Sequence, residues 1–269
     1  MPFTSATANN PITTLAFTGS KGTPMQQFGP LDGALLIDKP KEWTSHDVVA
    51  KVRGHFKLKK VGHCGTLDPN ATGLLTLVLG KATKLSNKLM SDDKVYDGEV
   101  KFGESTDSYD SDGEITNTLP VPPLSLEQLN EAAKEFRGDQ MQTPPMVSAV
   151  KKDGVPLYKL ARKGKEVERE PKFIHIYKFV FNEYNEPLGK FTVTCTKGTY
   201  VRSLAHELGE KIGCGGHLCE LRRTRSGNLK VADAIPLAEL LKLSKSELEQ
   251  RVIPILKLAE IATAQSMPA

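Results

Sequence analysis

The feature that most constrains this chain is a charged turn followed directly by an apolar run. In KKVGHCGTLDPNATGLLTLVLGKATKL (residues 59–85), Pro69 fixes its own φ and disfavours helical geometry at Asp68. The run from Leu74 to Leu79 indicates a buried strand or helix that ends at the next glycine. The Asp68 carboxylate is therefore held against a hydrophobic element, which suits either a catalytic group or an ordinary turn.

The composition is that of a globular protein. The chain has 269 residues, of which 39% are hydrophobic and 25% charged, enough for one large or two modest domains. It contains no run of eighteen apolar residues, so no membrane-spanning helix is expected. The four cysteines form no Cys-x-x-Cys pair, which favours a reducing compartment without disulfides.

Residues 1–31 differ in composition from the rest of the chain. They are rich in Ser, Thr, Asn and Pro, and they contain one Lys and no Arg. This fits neither a secretory peptide nor an Arg-rich transit peptide and indicates a disordered tail. We expect one catalytic domain over residues 32–262 and a short tail at 263–269.

Local patterns predict strands and helices that mix without strict alternation. Ser45 is a candidate helix cap, and Ser125 with Gln128 and Ser244 with Glu247 have the spacing of capping boxes. The mixture favours an α+β fold with a mixed or antiparallel sheet. Strands are expected at 33–40, 95–103, 173–181 and 190–204, and helices at 45–56, 125–138, 204–218 and 236–262.

Basic residues concentrate in three stretches of a chain whose net charge is only +4. Any one stretch is more often a solvated face than a binding site, but three together favour a polyanionic partner. Tyr96, Tyr158 and Tyr200 could stack on bases, although a tyrosine in a strand commonly belongs to the core. The three basic stretches are 51–60, 151–172 and 222–230.

Patterns for a metal site or a thiol nucleophile are incomplete. Cys214, His217 and Cys219 supply three ligands, whereas tetrahedral zinc prefers four. The acidic turn 105–115 lacks the glutamate that a calcium loop needs at its twelfth position. Cys64 has no identifiable catalytic partner. The residues alone therefore favour neither a metal site nor a thiol nucleophile.

The segment KGTYVRSL (197–204) offers a partner for Asp68. It ends the strand expected at 190–204, so Tyr200 and Arg202 should project to the same face, because alternate residues of a strand do so. Arg202 is a permanent cation that can hold a carboxylate ionised and oriented. An Asp68–Arg202 pair is one of many pairings that the sequence allows.

Five spaced segments resemble the TruB family of pseudouridine synthases, and together they span roughly 33–262. The resemblance implies an α+β fold: a mixed, largely antiparallel sheet flanked by helices, with an active-site cleft along the sheet. It also implies isomerisation of uridine to pseudouridine in RNA without cofactor or metal, usually at position 55 in the T-arm of transfer RNA. The segments are LLIDKPKEWTSHDVV, GHCGTLDPNATG with LGKATK, KVYDGEVKFGESTDSYDSDGEI, FRGDQMQTPPMVSAVKKDGVPLYKLARKGKEV and KGTYVRSLAHELGEKIGCGGHLCELRRTRSG.

The same resemblance implies roles for individual residues. Asp68 corresponds to the catalytic aspartate, and His63 to a histidine implicated in flipping the nucleotide out of its stack. Tyr96 corresponds to the tyrosine that stacks on the target base. Tyr200 and Arg202 correspond to a second tyrosine and to the arginine that pairs with the aspartate. Further active-site positions are matched by Lys84 and Leu221.

The resemblance further implies how RNA is held. A thumb-like stretch at 144–174 is expected to grip the RNA, and we expect a cytoplasmic monomer that needs no protein partner. Bacterial members usually carry a PUA domain after the catalytic domain, and we expect none here. Two alternatives stay open: an RNA-guided catalytic subunit and a non-catalytic RNA chaperone. The expected phosphate contacts are Lys151, Lys152, Arg222 and Arg223.

Overall fold

The computed structural model describes residues 28–148, 150–152, 154–161, 164–165 and 167–263. The expected tail at 1–31 lies mostly outside them, as does most of 263–269. The strands are β1 (Gly33–Lys39), β2 (Val61–Cys64), β3 (Thr72–Leu79), β4 (Lys94–Phe102), β5 (Glu104–Thr106), β6 (Ile115–Thr118), β7 (Gly138–Gln142), β8 (Lys151–Lys152), β9 (Val155–Pro156), β10 (Lys172–Asn185), β11 (Leu188–Cys195), β12 (Gly216–Ser226), β13 (Leu229–Lys230), β14 (Ile235–Pro236) and β15 (Ile253–Pro254). The helices are α1 (Ser45–His55), α2 (Ser86–Met90), α3 (Leu126–Lys134), α4 (Leu157–Ala161), α5 (Val201–Ile212), α6 (Leu237–Leu240), α7 (Lys245–Arg251) and α8 (Ile255–Thr263), with short 3₁₀ helices at Gly80–Leu85 and Val231–Asp233.

One large sheet organises the described residues. Its strands follow the order β14-β1-β3-β12-β4-β11-β10-β7, while β2, β13 and β15 pair at the sides. Only the pairs β1–β14 and β3–β12 of this sheet are parallel among the described strands, and the others are antiparallel. The predicted α+β fold with a mixed, largely antiparallel sheet is confirmed.

The apolar run after the charged turn is the strand β3. Its residues alternate between clusters on the two sides of the sheet: Leu75 and Leu77 join the main core, whereas Leu74 and Val78 join two smaller clusters. A strand that is covered on both faces has a nearly continuous apolar sequence, which explains why periodicity alone left strand and helix open.

Two of the three predicted helix caps are present in the structure, and both are capping boxes whose two residues lie three positions apart. The capping boxes of Ser125 with Gln128 and of Ser244 with Glu247 are confirmed at the starts of α3 and α7. The cap of α1 is Thr44 instead of Ser45, because the Thr44 hydroxyl accepts the hydrogen bond from the backbone of the third helical residue.

Two predicted helices have different bounds in the structure. Helix α5 begins at Val201 and ends before Gly213, whose φ of +90° suits a glycine, and the following residues form β12 and not a longer helix. The prediction of one helix over 236–262 is also wrong: α6, α7 and α8 are separate, and Ile253–Pro254 pairs with β1 between the last two. None of the described helices has the length and apolarity of a membrane span.

Candidate active site

A cleft of about 530 Å³ opens beside the charged turn and is lined by segments far apart in the sequence. The turn between β2 and β3 supplies Asp68, β4 supplies Tyr96, and β12 supplies Leu221. The start of α5 supplies Tyr200 and Arg202. These five predicted site residues are therefore brought together in one cleft.

Arg202 connects two carboxylates at the cleft. Its guanidinium lies 3.1 Å from a carboxylate oxygen of Asp68 and 3.3 Å from one of Asp110. The Arg202 side chain is 4% exposed, whereas that of Asp68 is 45% exposed and faces the cleft. The predicted proximity of Asp68 and Arg202 is confirmed. One buried cation thus faces two anions, which fixes its orientation and that of Asp68.

The local structure that places Arg202 beside Asp68 is a helix start, whereas the sequence indicated a strand. Tyr200 and Arg202 do not lie on a strand: Tyr200 is the N-cap of α5, and Arg202 is the second helical residue. Gln142 of β7 holds this helix start, because its side chain accepts from Tyr200 N at 2.8 Å and donates to Tyr200 O at 3.1 Å. Arg202 is therefore anchored through the backbone as well as through its carboxylates.

Buried side chains on both sides of Asp68 hold the turn that carries it. The Ser45 hydroxyl accepts from Leu67 N at 2.9 Å and donates to Leu67 O at 3.2 Å. The Lys39 ammonium, which is fully buried, donates to Pro69 O at 3.0 Å and also to two carbonyls at Pro40 and Trp43. Burial lowers the pKa of Lys39 to about 8, so the ammonium remains charged near neutral pH.

The floor of the cleft is formed by β4 and β12. Tyr96 and Arg223 are opposite each other in the two strands, and Tyr96 is 9% exposed. Burial raises the pKa of Tyr96, so its phenol stays protonated. Gly73 of β3 has a φ of +96°, and a Cβ there would clash with the backbone of Arg223. The glycine therefore lets β3 meet β12 just after the turn.

The surroundings of Asp68 favour a higher pKa than that of a free aspartate. Burial raises it first, Arg202 lowers it, and the like charges of Asp110 and Asp112 raise it again. The side chain still has 45% of its surface exposed toward the cleft, so water there reduces the effect of burial. Burial acts on the carboxylate in full once RNA fills the cleft and displaces that water.

Two predicted site residues lie outside the described lining of the cleft. His63 lies on β2 with its ring 5.1 Å from that of His46, and burial lowers its pKa to about 4, so it is neutral near pH 7. Its Nδ1 is buried without a hydrogen-bond partner in the described structure. Lys84 is exposed on the 3₁₀ helix Gly80–Leu85.

The expected phosphate contacts divide into three cases. The prediction of a phosphate contact at Arg223 is wrong. This residue is 1% exposed, and its guanidinium donates to the carbonyls of Leu74 and Gly65. It therefore supports the cleft and does not present a charge to solvent. Arg222 is partly exposed and forms a two-bond ion pair with Asp38. The side chains of the remaining two, Lys151 and Lys152, lie outside the described residues.

Sequence reasoning missed several residues of the site. It considered the turn 105–115 as a possible calcium loop and as part of a family-like segment, but it did not identify Asp110 as a partner of Arg202. Lys94, which is 5% exposed, lines the cleft and donates to the Met90 carbonyl at 2.9 Å. No pattern in the sequence distinguishes these residues from ordinary polar positions. Asp110 meets a partner 92 residues away, and the local contact of Lys94 with Met90 does not indicate that Lys94 lines the cleft. Among the described residues, no group of three metal-ligating side chains converges.

Comparison with known proteins agrees with this geometry. Residues 53–201 match the family model described as "TruB family pseudouridylate synthase (N terminal domain)", and residues 202–260 match "tRNA pseudouridylate synthase B C-terminal domain". The chain belongs to the TruB family. The boundary between the two matches falls at the start of α5, and both parts contribute strands to the same sheet.

Curated relatives and solved structures support the assignment. A protein named "tRNA pseudouridine synthase B" from Opitutus terrae is 53% identical over 85% of this chain and 95% of its own length. One of the same name from Solibacter usitatus is 47% identical over 85% of this chain and 78% of its own length. A chain in "Crystal Structure of a Cbf5-Nop10-Gar1 Complex" has a TM-score of 0.69 and 28% identity, covering 90% of this chain and 68% of that chain.

Proposed function

We propose that this protein isomerises uridine to pseudouridine in transfer RNA, at position 55 of the T-arm. The observation that carries the proposal is the Asp68–Arg202 pair, 3.1 Å apart, in a cleft lined by two tyrosines of a TruB-family chain. The relatives named above are described as tRNA pseudouridine synthases, which supports transfer RNA as the substrate class.

The reaction moves one bond from nitrogen to carbon. The C1′–N1 bond of uridine breaks, the uracil turns, and a C1′–C5 bond forms; C5 then loses its proton and N1 gains one. The Asp68 carboxylate can stabilise or trap positive character at C1′, as carboxylates do in glycoside hydrolysis, or can remove a proton from the sugar. Either route requires Asp68 to be ionised, and the neighbouring Arg202 favours that form.

The remaining cleft residues suit a base that has left its stack. A uridine within a structured RNA must be flipped into the cleft, which costs a few kcal/mol. The ring of Tyr96 can stack on the flipped uracil and offset that cost by about 1–3 kcal/mol. We assign Tyr200 and Leu221 to the walls that position the uracil. We propose that His63 acts at the flipping step as a neutral side chain.

We further propose that the protein acts alone, as a cytoplasmic monomer. The structural neighbours include chains from multi-protein complexes, so this point needs a direct test. Purified protein is incubated with an unmodified transfer RNA transcript, without guide RNA or other proteins, and pseudouridine is mapped by position. We expect modification at position 55 of the T-arm. Product only when a guide RNA is added, or no product at all, would contradict the proposal.

A further inference from the structure

The acidic turn (residues 105–115), which carries Asp110, is joined to β12 through its backbone. Leu218 N of β12 donates to Tyr109 O at 3.0 Å, and Ser111 N donates to Leu218 O at 3.1 Å. These two hydrogen bonds lie on either side of Asp110, which forms an isolated bridge with Leu218. The backbone around Asp110 is therefore fixed relative to the sheet.

A stacked pair of rings joins the same turn to α5. The rings of Tyr109 and His206 lie nearly parallel, with their centroids 3.9 Å apart and an angle of 10° between their planes. His206 follows Arg202 by four residues in α5, and side chains with this spacing lie on one face of a helix. Two neighbouring residues of the turn, Tyr109 and Asp110, thus contact His206 and Arg202 on one face of α5.

The backbone of Tyr109 does not explain why a tyrosine stands at this position. Its φ is +66°, in the left-handed region that is unfavourable for a bulky side chain. Glycine adopts this conformation without steric cost, so the turn by itself would favour glycine. Strained backbone of this kind persists where the surrounding structure holds it, and here the stacked ring is the contact that a glycine would lose.

The two stacked rings support the site without facing the substrate. Neither Tyr109 nor His206 is among the residues that line the described cleft. Burial lowers the pKa of His206, while the nearby Glu210 raises it, and the net shift is downward, so the imidazole is largely neutral near pH 7. The contact is therefore a stack of two largely neutral rings, and its effect on chemistry has to pass through Asp110.

We propose that the Tyr109–His206 stack is a positioning element for catalysis. The backbone bonds fix the acidic turn to β12, and the stack fixes it to the helix that carries Arg202. Asp110 is thereby held against the Arg202 guanidinium, which in turn keeps its orientation toward Asp68. This inference rests on the proposed function and assigns Tyr109 and His206 as positioning residues for that reaction.

The test removes each ring in turn and keeps the rest of the contact. Tyr109→Leu loses the ring but keeps an unbranched Cβ, so the demand on the backbone stays the same, and His206→Leu removes the other ring with a good helix former. Tyr109→Phe keeps the ring and removes only the hydroxyl. The matched control is Tyr184→Leu, which removes a partly buried tyrosine of β10 that packs on Phe102 outside the cleft lining.

The single-turnover rate on a transfer RNA transcript, the affinity for that RNA and the melting temperature are measured for every variant. We expect Tyr109→Leu and His206→Leu to lower the rate about tenfold and to leave the affinity within a few-fold of the wild type, because a small displacement of a catalytic group slows the chemical step. Tyr109→Phe should retain most of the rate. Tyr184→Leu should lose stability and keep the wild-type rate.

A double variant tests whether the stack acts through Asp110. If it does, adding Tyr109→Leu to Asp110→Asn should cause no further loss of rate, because the ring then positions a group that is already absent. Losses of rate that multiply in the double variant would overturn the proposal. A wild-type rate in both Tyr109→Leu and His206→Leu would also overturn it, since the backbone bonds to β12 would then be sufficient.

A crystal structure of Tyr109→Leu gives a readout that does not depend on product. We expect the Asp110 carboxylate to have left ion-pair distance of the Arg202 guanidinium, and a distance still near 3.3 Å would overturn the proposal. A wild-type protein that forms no pseudouridine would contradict the proposed function. The distance in the variant would then still decide whether the stack holds Asp110 on Arg202.

Discussion

At the scale of single residues, the site depends on one arginine shared by two carboxylates. Arg202 is nearly buried and bridges Asp68 and Asp110 at 3.1 and 3.3 Å. Asp68 therefore gains a cation that favours its ionised form and, within the same network, an anion that opposes it. Together with burial, these two charges set the pKa of Asp68 and so the pH above which its carboxyl group is ionised.

Replacing Asp110 should move the acidic limb of the pH–rate profile. The pKa of Asp68 is raised above its ordinary value of 3.8, so activity that needs the carboxylate falls as the pH drops through that raised pKa. Asp110→Asn removes a like charge and leaves Arg202 with Asp68 as its one charged partner in this network, which should lower the pKa of Asp68. The acidic limb of the kcat/KM profile should therefore shift to lower pH. Asp112→Asn is the control and should shift it less, since Asp112 does not contact Arg202. An unmoved limb in Asp110→Asn would show that the two carboxylates are not coupled.

At the scale of elements, α1 and the charged turn support each other. The Ser45 hydroxyl, at the first position of α1, satisfies both the N–H and the carbonyl of Leu67, the residue just before Asp68. The sequence indicates a cap at this serine, but the cap is Thr44, and the hydroxyl serves the turn instead. Capping boxes could be predicted because their partners lie three residues apart; this contact spans twenty-two residues and could not.

Ser45→Ala should weaken both the fold and catalysis. Loss of the hydroxyl leaves two buried backbone groups of Leu67 without partners, and we expect a fall of about 1–3 kcal/mol in the free energy of unfolding. The rate at saturating RNA should also fall, while RNA affinity stays the same, because Asp68 is less well positioned. The matched control, Ser244→Ala, removes the cap of α7 and should cost about 1 kcal/mol with no change in rate.

Chemical denaturation and single-turnover assays on both serine variants separate the two effects. If Ser45→Ala lost stability but kept the wild-type rate, the hydroxyl would be a purely structural contact, and its predicted effect on Asp68 would be wrong.

At the scale of the whole molecule, the sheet brings distant segments to one point. The strands β3 and β12 are parallel neighbours, and β4 lies beside β12, so Asp68, Tyr96 and the start of α5 meet although they span about half of the chain. The family resemblance pointed to residues with chemical roles. The structure brings five of them together in one cleft, which agrees with that resemblance. The Asp68–Arg202 pair was predicted from the family resemblance and from a strand geometry. The strand geometry is wrong, because helix α5 already begins at Val201.

Three residues that sequence analysis missed share one property. Asp110, Gln142 and Lys39 act through contacts with residues 30 to 92 positions away, and neither periodicity nor spacing records such contacts. The same reason explains the correction of Arg223. A run of basic residues indicates a surface, but β12 is central in the sheet, so alternate side chains of that run point into the protein.

The most direct test of the account is the rate of the Asp68→Asn variant on transfer RNA. The substitution keeps the size of the side chain, removes its charge and leaves the Arg202–Asp110 pair in place. We predict no pseudouridine formation above about 1% of the wild-type rate in a single-turnover assay, because loss of a catalytic group usually costs orders of magnitude in rate. RNA affinity should stay within a few-fold of the wild type. A variant that binds RNA normally and still forms pseudouridine at a rate above that level would contradict the assignment of Asp68 as the catalytic residue.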